Sequence, residues 1–129
     1  MTVKQISVFL ENRKGQLNEI TKILAQAGIN LLALNIAETT EYGIVRIIVD
    51  DVAAATDALI SAGMVVKVSD VSRVTISNSV GGLNSALQKI ADAGIDIEYM
   101  YSMVSGDSEN ADMVFKTADS AALEAALAK

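Results

Sequence analysis

The sequence contains itself twice. The stretches Asn12-Arg13-Lys14-Gly15-Gln16-Leu17-Asn18 and Asn78-Ser79-Val80-Gly81-Gly82-Leu83-Asn84 share Asn, Gly, Leu and Asn at one displacement, from 12 to 78. The register continues through Ala25/Ala91, Ala27/Ala93, Gly28/Gly94 and Ile29/Ile95. A repeat of this length restricts the chain to folds built from two like units, although 129 residues taken alone suggest one domain. Further on, Ile47 aligns with Phe115 and Leu59 with Leu127, so the second copy carries two extra residues. They fall within 105–110, a polar, turn-rich stretch where added loop length costs little.

Both copies predict the same order of elements. Residues 3–10 and 71–77 alternate apolar and polar side chains in runs rich in β-branched residues, the mark of a half-buried strand. Leu17, Ile20, Leu24 and Ala27, and again Leu83, Leu87, Ile90 and Ala93, recur at helical spacing. Each of these helices runs into a glycine, Gly28 or Gly94, suited to the left-handed residue that ends a helix. Second strands are expected over 31–37 and 95–104, and third strands over 44–49 and 113–117. Asp50/Asp51 and Asp119/Ser120 are natural caps for second helices over 52–62 and 121–128. A fourth strand over 64–69 closes the first copy and runs almost directly into the second. The expected class is α+β: two tandem ferredoxin-like βαββαβ units, 1–69 and 70–129, with antiparallel sheets and helices on one face. Lys129 aligns with Ser61, so the second unit stops short of its last strand, leaving an open edge or a place for a strand from elsewhere.

Composition narrows the chemistry. The chain has no His and no Cys, which removes the thiol nucleophile, the imidazole base and the usual zinc ligands. Ten Lys and Arg against sixteen Asp and Glu give a net charge of −6, which repels nucleic acid and anionic membrane surfaces. Hydrophobic residues make up 51% of the chain, enough for a sizeable core, yet no window is apolar over the roughly 18 residues a membrane span requires. The cytoplasm is the expected location.

The residues also carry a family resemblance. The run Phe9 to Leu17, then Ala27-Gly28-Ile29-Asn30, Ile36-Ala37-Glu38 and Tyr42-Gly43-Ile44-Val45-Arg46, resembles an ACT domain, and the second copy repeats it with Asn78 to Leu83, Ala93-Gly94-Ile95-Asp96 and Glu98-Tyr99-Met100-Tyr101. The whole chain is similar to small proteins made of two tandem ACT domains. That resemblance implies binding of a free amino acid between domains packed side by side. Its most diagnostic position is the turn glycine, Gly15 or Gly81. The family usually has Pro just before it, where this chain has Lys14 and Val80.

The turn has its own physical case. A glycine-containing link from strand to helix exposes the first helical N–H groups, which lack partners within the helix and sit at the positive end of its dipole. Such a site suits an α-carboxylate. The expected donors are the backbone N–H groups around Gly15, Gln16 and Leu17 and around Gly81, Gly82 and Leu83; Arg13, Ser79 and Val80 complete the turns. Asn12 and Asn78 offer donor and acceptor together, or else bond the turn backbone itself. Glu38 and Ser102, near the ends of the second strands, are the candidate acceptors for an ammonium, or simply solvated side chains.

Other readings are weaker. Asp107, Glu109 and Asp112 lack the spacing of a calcium loop, and Gly81-Gly82 fits no phosphate-binding loop. Tyr99 and Tyr101 share a strand face, as in RNA-recognition modules, but without a basic patch they read as core or interface residues, and Met100 and Met103 as packing. No acid/base pair is visible, so neither metal, cofactor nor catalysis is expected. Leu31, Leu32, Leu34 and Ile36 load both faces of one strand with apolar side chains, which predicts a homodimer. The expected function is a non-enzymatic, amino-acid-binding regulatory protein. The alternative is a regulatory subunit of an amino-acid biosynthetic enzyme, docked through the unfinished edge.

Overall fold

The computed structural model describes residues 1–11, 14–38, 42–104 and 108–129. The elements run β1 (Thr2–Glu11), α1 (Gln16–Gln26), β2 (Leu31–Glu38), β3 (Tyr42–Val49), α2 (Val52–Ser61), β4 (Val65–Ser77), α3 (Gly82–Asp92), β5 (Tyr99–Ser102), β6 (Asn110–Lys116) and α4 (Ser120–Leu127). This is an α+β fold with antiparallel strand pairing. The chain divides into two compact units, Lys4–Ser69 and Met1–Val3 with Asp70–Lys129.

In the Lys4–Ser69 unit the strands lie in the order β2-β3-β1-β4. The pairs Ile6↔Ile47 and Val8↔Val45 set four branched side chains on one face of the sheet. Ile20 and Leu24 of α1 and Ala55 and Leu59 of α2 pack against that face, and all eight residues are buried. Removing such side chains from water is the main favourable term in folding, about 1.5–3 kcal/mol for each large one. Asp51 caps α2 by accepting from Ala54 N at 3.1 Å. Gly28 ends α1 with φ +73°, as its position after the apolar stripe predicts.

The second unit repeats the logic with β4-β6-β5. Ser72↔Phe115, Val74↔Met113 and Met100↔Phe115 fix the register. Phe115 and Met113 pack with Ile90 of α3 and Leu123 of α4. Asp119 caps α4 through Ala122 N at 3.1 Å, matching Asp51. Met100 joins this core and Met103 is buried. Tyr99 and Tyr101 fall on the opposite strand face, stacked on each other with ring centroids 6.5 Å apart.

Two features differ from the sequence reading. The strands expected over 64–69 and 71–77 form one continuous strand, β4, since no Gly or Pro interrupts them. The strand expected over 95–104 is only Tyr99–Ser102. Its partner sets that limit: β6 ends at Lys116, whose carbonyl accepts from Glu98 N at 2.9 Å, and the chain beyond turns into the α4 cap.

The start of the chain lies against β4 of the second unit. Arg73 N donates to Met1 O at 2.8 Å, and the Met1 ammonium donates to Arg73 O at 3.1 Å. The same ammonium lies 2.9 Å from Glu124 Oε1 of α4, and the Thr2 hydroxyl donates to that oxygen at 3.2 Å. Met1–Val3 therefore lies beside β4.

Candidate functional site

The second copy places its strand-to-helix turn on the wall of a cleft. β4 ends at Ser77, the chain turns through Ser79, Val80 and Gly81, and α3 starts at Gly82. Gly82 N donates to Ser79 O at 3.0 Å, closing the turn. Gly81 caps the helix with φ +81°, a left-handed conformation that side chains with a Cβ rarely adopt. At Gly82 the constraint is space, for a Cβ there would collide with the Ser77 carbonyl oxygen. Glycine at both positions is thus required by the path of the backbone.

The cleft encloses about 500 Å3. Besides the turn, its walls include Thr75 and Ser77 of β4 and Asn84, Ser85 and Lys89 of α3. Gly82, Ser85, Ala86 and Lys89 recur at helical spacing, so one face of α3 lines it. The polar groups are hydroxyls, one amide and one ammonium, with no carboxylate among the described lining residues. Ser77 and Ser79 hydroxyls hydrogen-bond each other at 2.8 Å. The Thr75 hydroxyl donates to Asp112 Oδ1 at 2.6 Å, and Arg73 Nη2 lies 2.8 Å from Asp112 Oδ2. Those two hydrogen bonds, Thr75 first and then Arg73, hold the Asp112 carboxyl below its ordinary value of 3.8.

The predicted residues fall in several places. Ser79, Val80, Gly81 and Gly82 line the cleft, with Val80 fully exposed at the tip of the turn. Leu83 follows on α3, partly exposed and off the wall. Asn78 turns elsewhere: its side-chain amide donates to Ser108 O at 3.0 Å and its backbone N–H to Glu109 O at 2.9 Å, tying the turn to the approach to β6. Ser102 ends β5 opposite Met113 and takes no part in the cleft wall. In the first copy Gly15 caps α1 with the same φ of +81°. Gln16 is buried and Leu17 packs against the first core. Glu38 ends β2 opposite Gly43. Asn12 and Arg13 lie outside the described residues, as does Asp107 of the acidic loop.

The first copy has its own, smaller cleft of about 280 Å3, lined by β1, the start of α1 and the α2–β4 turn. Sequence reasoning missed Thr75, Ser85 and Lys89 as wall residues. The helical spacing of Gly82, Ser85 and Lys89 was the available signal. Among the described residues, no group of three or more Asp or Glu side chains could hold a metal, and no helix is long and apolar enough to cross a membrane.

Comparisons with known proteins agree with this architecture. A family model described as "ACT domain pair" matches residues 1–127. A crystal structure of a Bacteroides thetaiotaomicron protein is 38% identical, covers 99% of this chain and 88% of its own, and superposes with a TM-score of 0.91. The ligand-free regulatory subunit of aspartate kinase from Thermus thermophilus shares the fold at 16% identity, over 99% of this chain and 93% of that one, with a TM-score of 0.71. The regulatory subunit of aspartate kinase from Thermus flavus does so at 16% identity, over 99% and 94%, with a TM-score of 0.66. No curated protein is significantly similar in sequence.

Proposed function

We propose, for a chain that belongs to the ACT domain pair family, a regulatory protein that binds a free amino acid and performs no catalysis itself. The observation that carries this reading is the Gly81-Gly82 turn. It opens the N-terminus of α3 onto a cleft whose polar lining, among the described residues, includes hydroxyls and Lys89 but no carboxylate. An α-carboxylate there meets the unpaired N–H groups of the first helical turn and the positive end of the dipole. In this reading Gly81 and Leu83 supply backbone donors, Gly82, whose N–H closes the turn onto Ser79, leaves room for the ligand, and the hydroxyls of Ser79 and Ser85 accept from the ammonium. Ser102 and Asn78 serve as outer contacts once a partner domain closes over the turn. The first copy's Gly15, Gln16 and Leu17, with Asn12, Arg13 and Glu38, form the equivalent site.

Further parts of the reading follow from the family and the surface. The two domains, 1–69 and 70–129, are ferredoxin-like units. Leu34 and Ile36 of β2 are exposed, Ile36 by 52%, and a homodimer that covers them removes that apolar surface from water. Ligand contacts that span two domains would couple binding to assembly, because only differential affinity shifts an equilibrium. A second reading is favoured by the fold shared with the Thermus proteins: a regulatory subunit held by an amino-acid biosynthetic enzyme in the cytoplasm.

A thermal-unfolding screen against the twenty amino acids tests the proposal. One or a few of them should raise the midpoint in a concentration-dependent manner, and Gly82→Ala should lose that response. The variant itself should cost about 1–3 kcal/mol, because its Cβ displaces the Ser77 carbonyl. If no amino acid stabilises the isolated protein, the stand-alone sensor is wrong. Stabilisation that appears only with an enzyme present would instead support the subunit reading.

A further inference from the structure

The two copies differ in charge where their strand-to-helix turns open. At the displacement that relates Asn12 to Asn78, Glu11, Glu19 and Ile23 correspond to Ser77, Ser85 and Lys89. Glu11 and Glu19 line the first cleft, and Ser77, Ser85 and Lys89 line the second. Ile23 packs against the first core instead. All three differences make the second wall more positive, against a net charge of −6 for the chain. Lys89 lies in the last turn of α3, where a cation suits the helix dipole, yet the dipole would be served on any face of the helix. Lys89 stands on the face that lines the cleft. Its ammonium makes no ion pair among the described residues, and Asp92, nearly one turn on, accepts from Gln88 Nε2 at 2.9 Å instead.

We propose that the amino acid held at the Gly81-Gly82 turn carries a side-chain carboxylate and that Lys89 is the residue that selects it, an inference that rests on the amino-acid reading above. Gly82, Ser85 and Lys89 follow one another along the cleft face of α3. Lys89 is seven residues beyond Gly82, a rise of about 10 Å, and a long side chain on a helix leans back toward the N-terminus, which narrows that gap. With the α-carboxylate at the Gly81 and Leu83 N–H groups and the ammonium at Ser79 and Ser85, the ligand's side chain runs along α3 toward Lys89. A neutral side chain leaves Lys89 without a counter-charge. A carboxylate there accepts a charge-assisted hydrogen bond and meets no like charge on the described wall. Glu11 and Glu19 would repel the same ligand from the first cleft, so the two turns differ in specificity.

The probes are L-glutamate and L-glutamine, alike in length and shape, titrated calorimetrically into the full chain at equal ionic strength. Glutamate should bind at one site per chain and at least about fivefold more tightly than glutamine, the scale of one partly exposed charge pair. Lys89→Met should bring glutamate down to the glutamine level and leave glutamine unchanged. Lys89→Glu should reverse the order. Lys89 is exposed, so both variants should keep the parent's circular dichroism spectrum. Equal binding of the two probes to the parent protein, or a glutamate preference that survives in Lys89→Met, would overturn the proposal. If neither probe binds while another amino acid raises the unfolding midpoint, Lys89 selects nothing and the amino-acid reading still stands. If no amino acid binds at all, that reading fails and takes this inference with it.

Discussion

Asp112 fixes one wall of the second cleft without reaching it. Its carboxylate accepts from Thr75, which lines the cleft, and from Arg73, whose backbone also pairs with Met1. Because these bonds favour the charged form, the carboxyl titrates lower in the folded chain than in the unfolded one. The stabilisation is therefore complete above the unfolded value, near 3.8, and is lost as pH falls through the lowered folded value. Asp112→Asn should cost about 1 kcal/mol at neutral pH, since both bonds lie near the surface. Urea midpoints of parent and variant should converge as pH drops below about 4; a difference that persists to pH 2 would locate the loss in packing rather than charge. Gln16 sits at the other extreme. There a buried acceptor without a donor costs stability, so Gln16→Leu should raise the urea midpoint.

At the scale of elements the repeat was legible because the devices that bound each helix are local. Asp51 and Asp119 accept from the third residue onward, and Gly28 and Gly94 take the left-handed conformation directly after α1 and α3. Each depends on neighbours within a few positions, which a sequence displays. Asp51→Ala or Asp119→Ala should therefore cost about 1 kcal/mol, read from the denaturant midpoint, with little change in native helix content. Where the sequence misled, the deciding partner was distant. Asn78 is a plausible ligand contact until Ser108 takes its amide donor, and β5 is shortened by where β6 stops. The cleft wall belongs to the same class. Thr75 and Ser85 are unremarkable in sequence, and only the packing of β4 and α3 brings them to one surface. Local capping and turn glycines were thus readable, whereas pairings across ten or more positions waited for the fold.

For the whole molecule the decisive fact is that two strands belong to both compact units. β1 gives Met1–Val3 to one and its remainder to the other, and β4 crosses from Ser69 to Asp70 as unbroken strand. Independent domains are usually joined by exposed, flexible linkers in which few contacts cross. Here Ser69-Asp70-Val71 contains neither Gly nor Pro, and each of those residues is strand. Unfolding one unit therefore removes part of a strand whose remainder belongs to the other. A core truncation in either should then lower the stability of both. Leu123→Ala, at a fully buried position beside Phe115 and Ile90, should cost about 2–5 kcal/mol. In urea it should shift one common transition, with far-UV circular dichroism and amide-exchange protection of β3 falling together. If β3 instead kept the protection of the parent protein while the α4 amides lost theirs, the shared strands would be joints between independently stable halves. Ligand binding at one turn would then have no route through the backbone to the other.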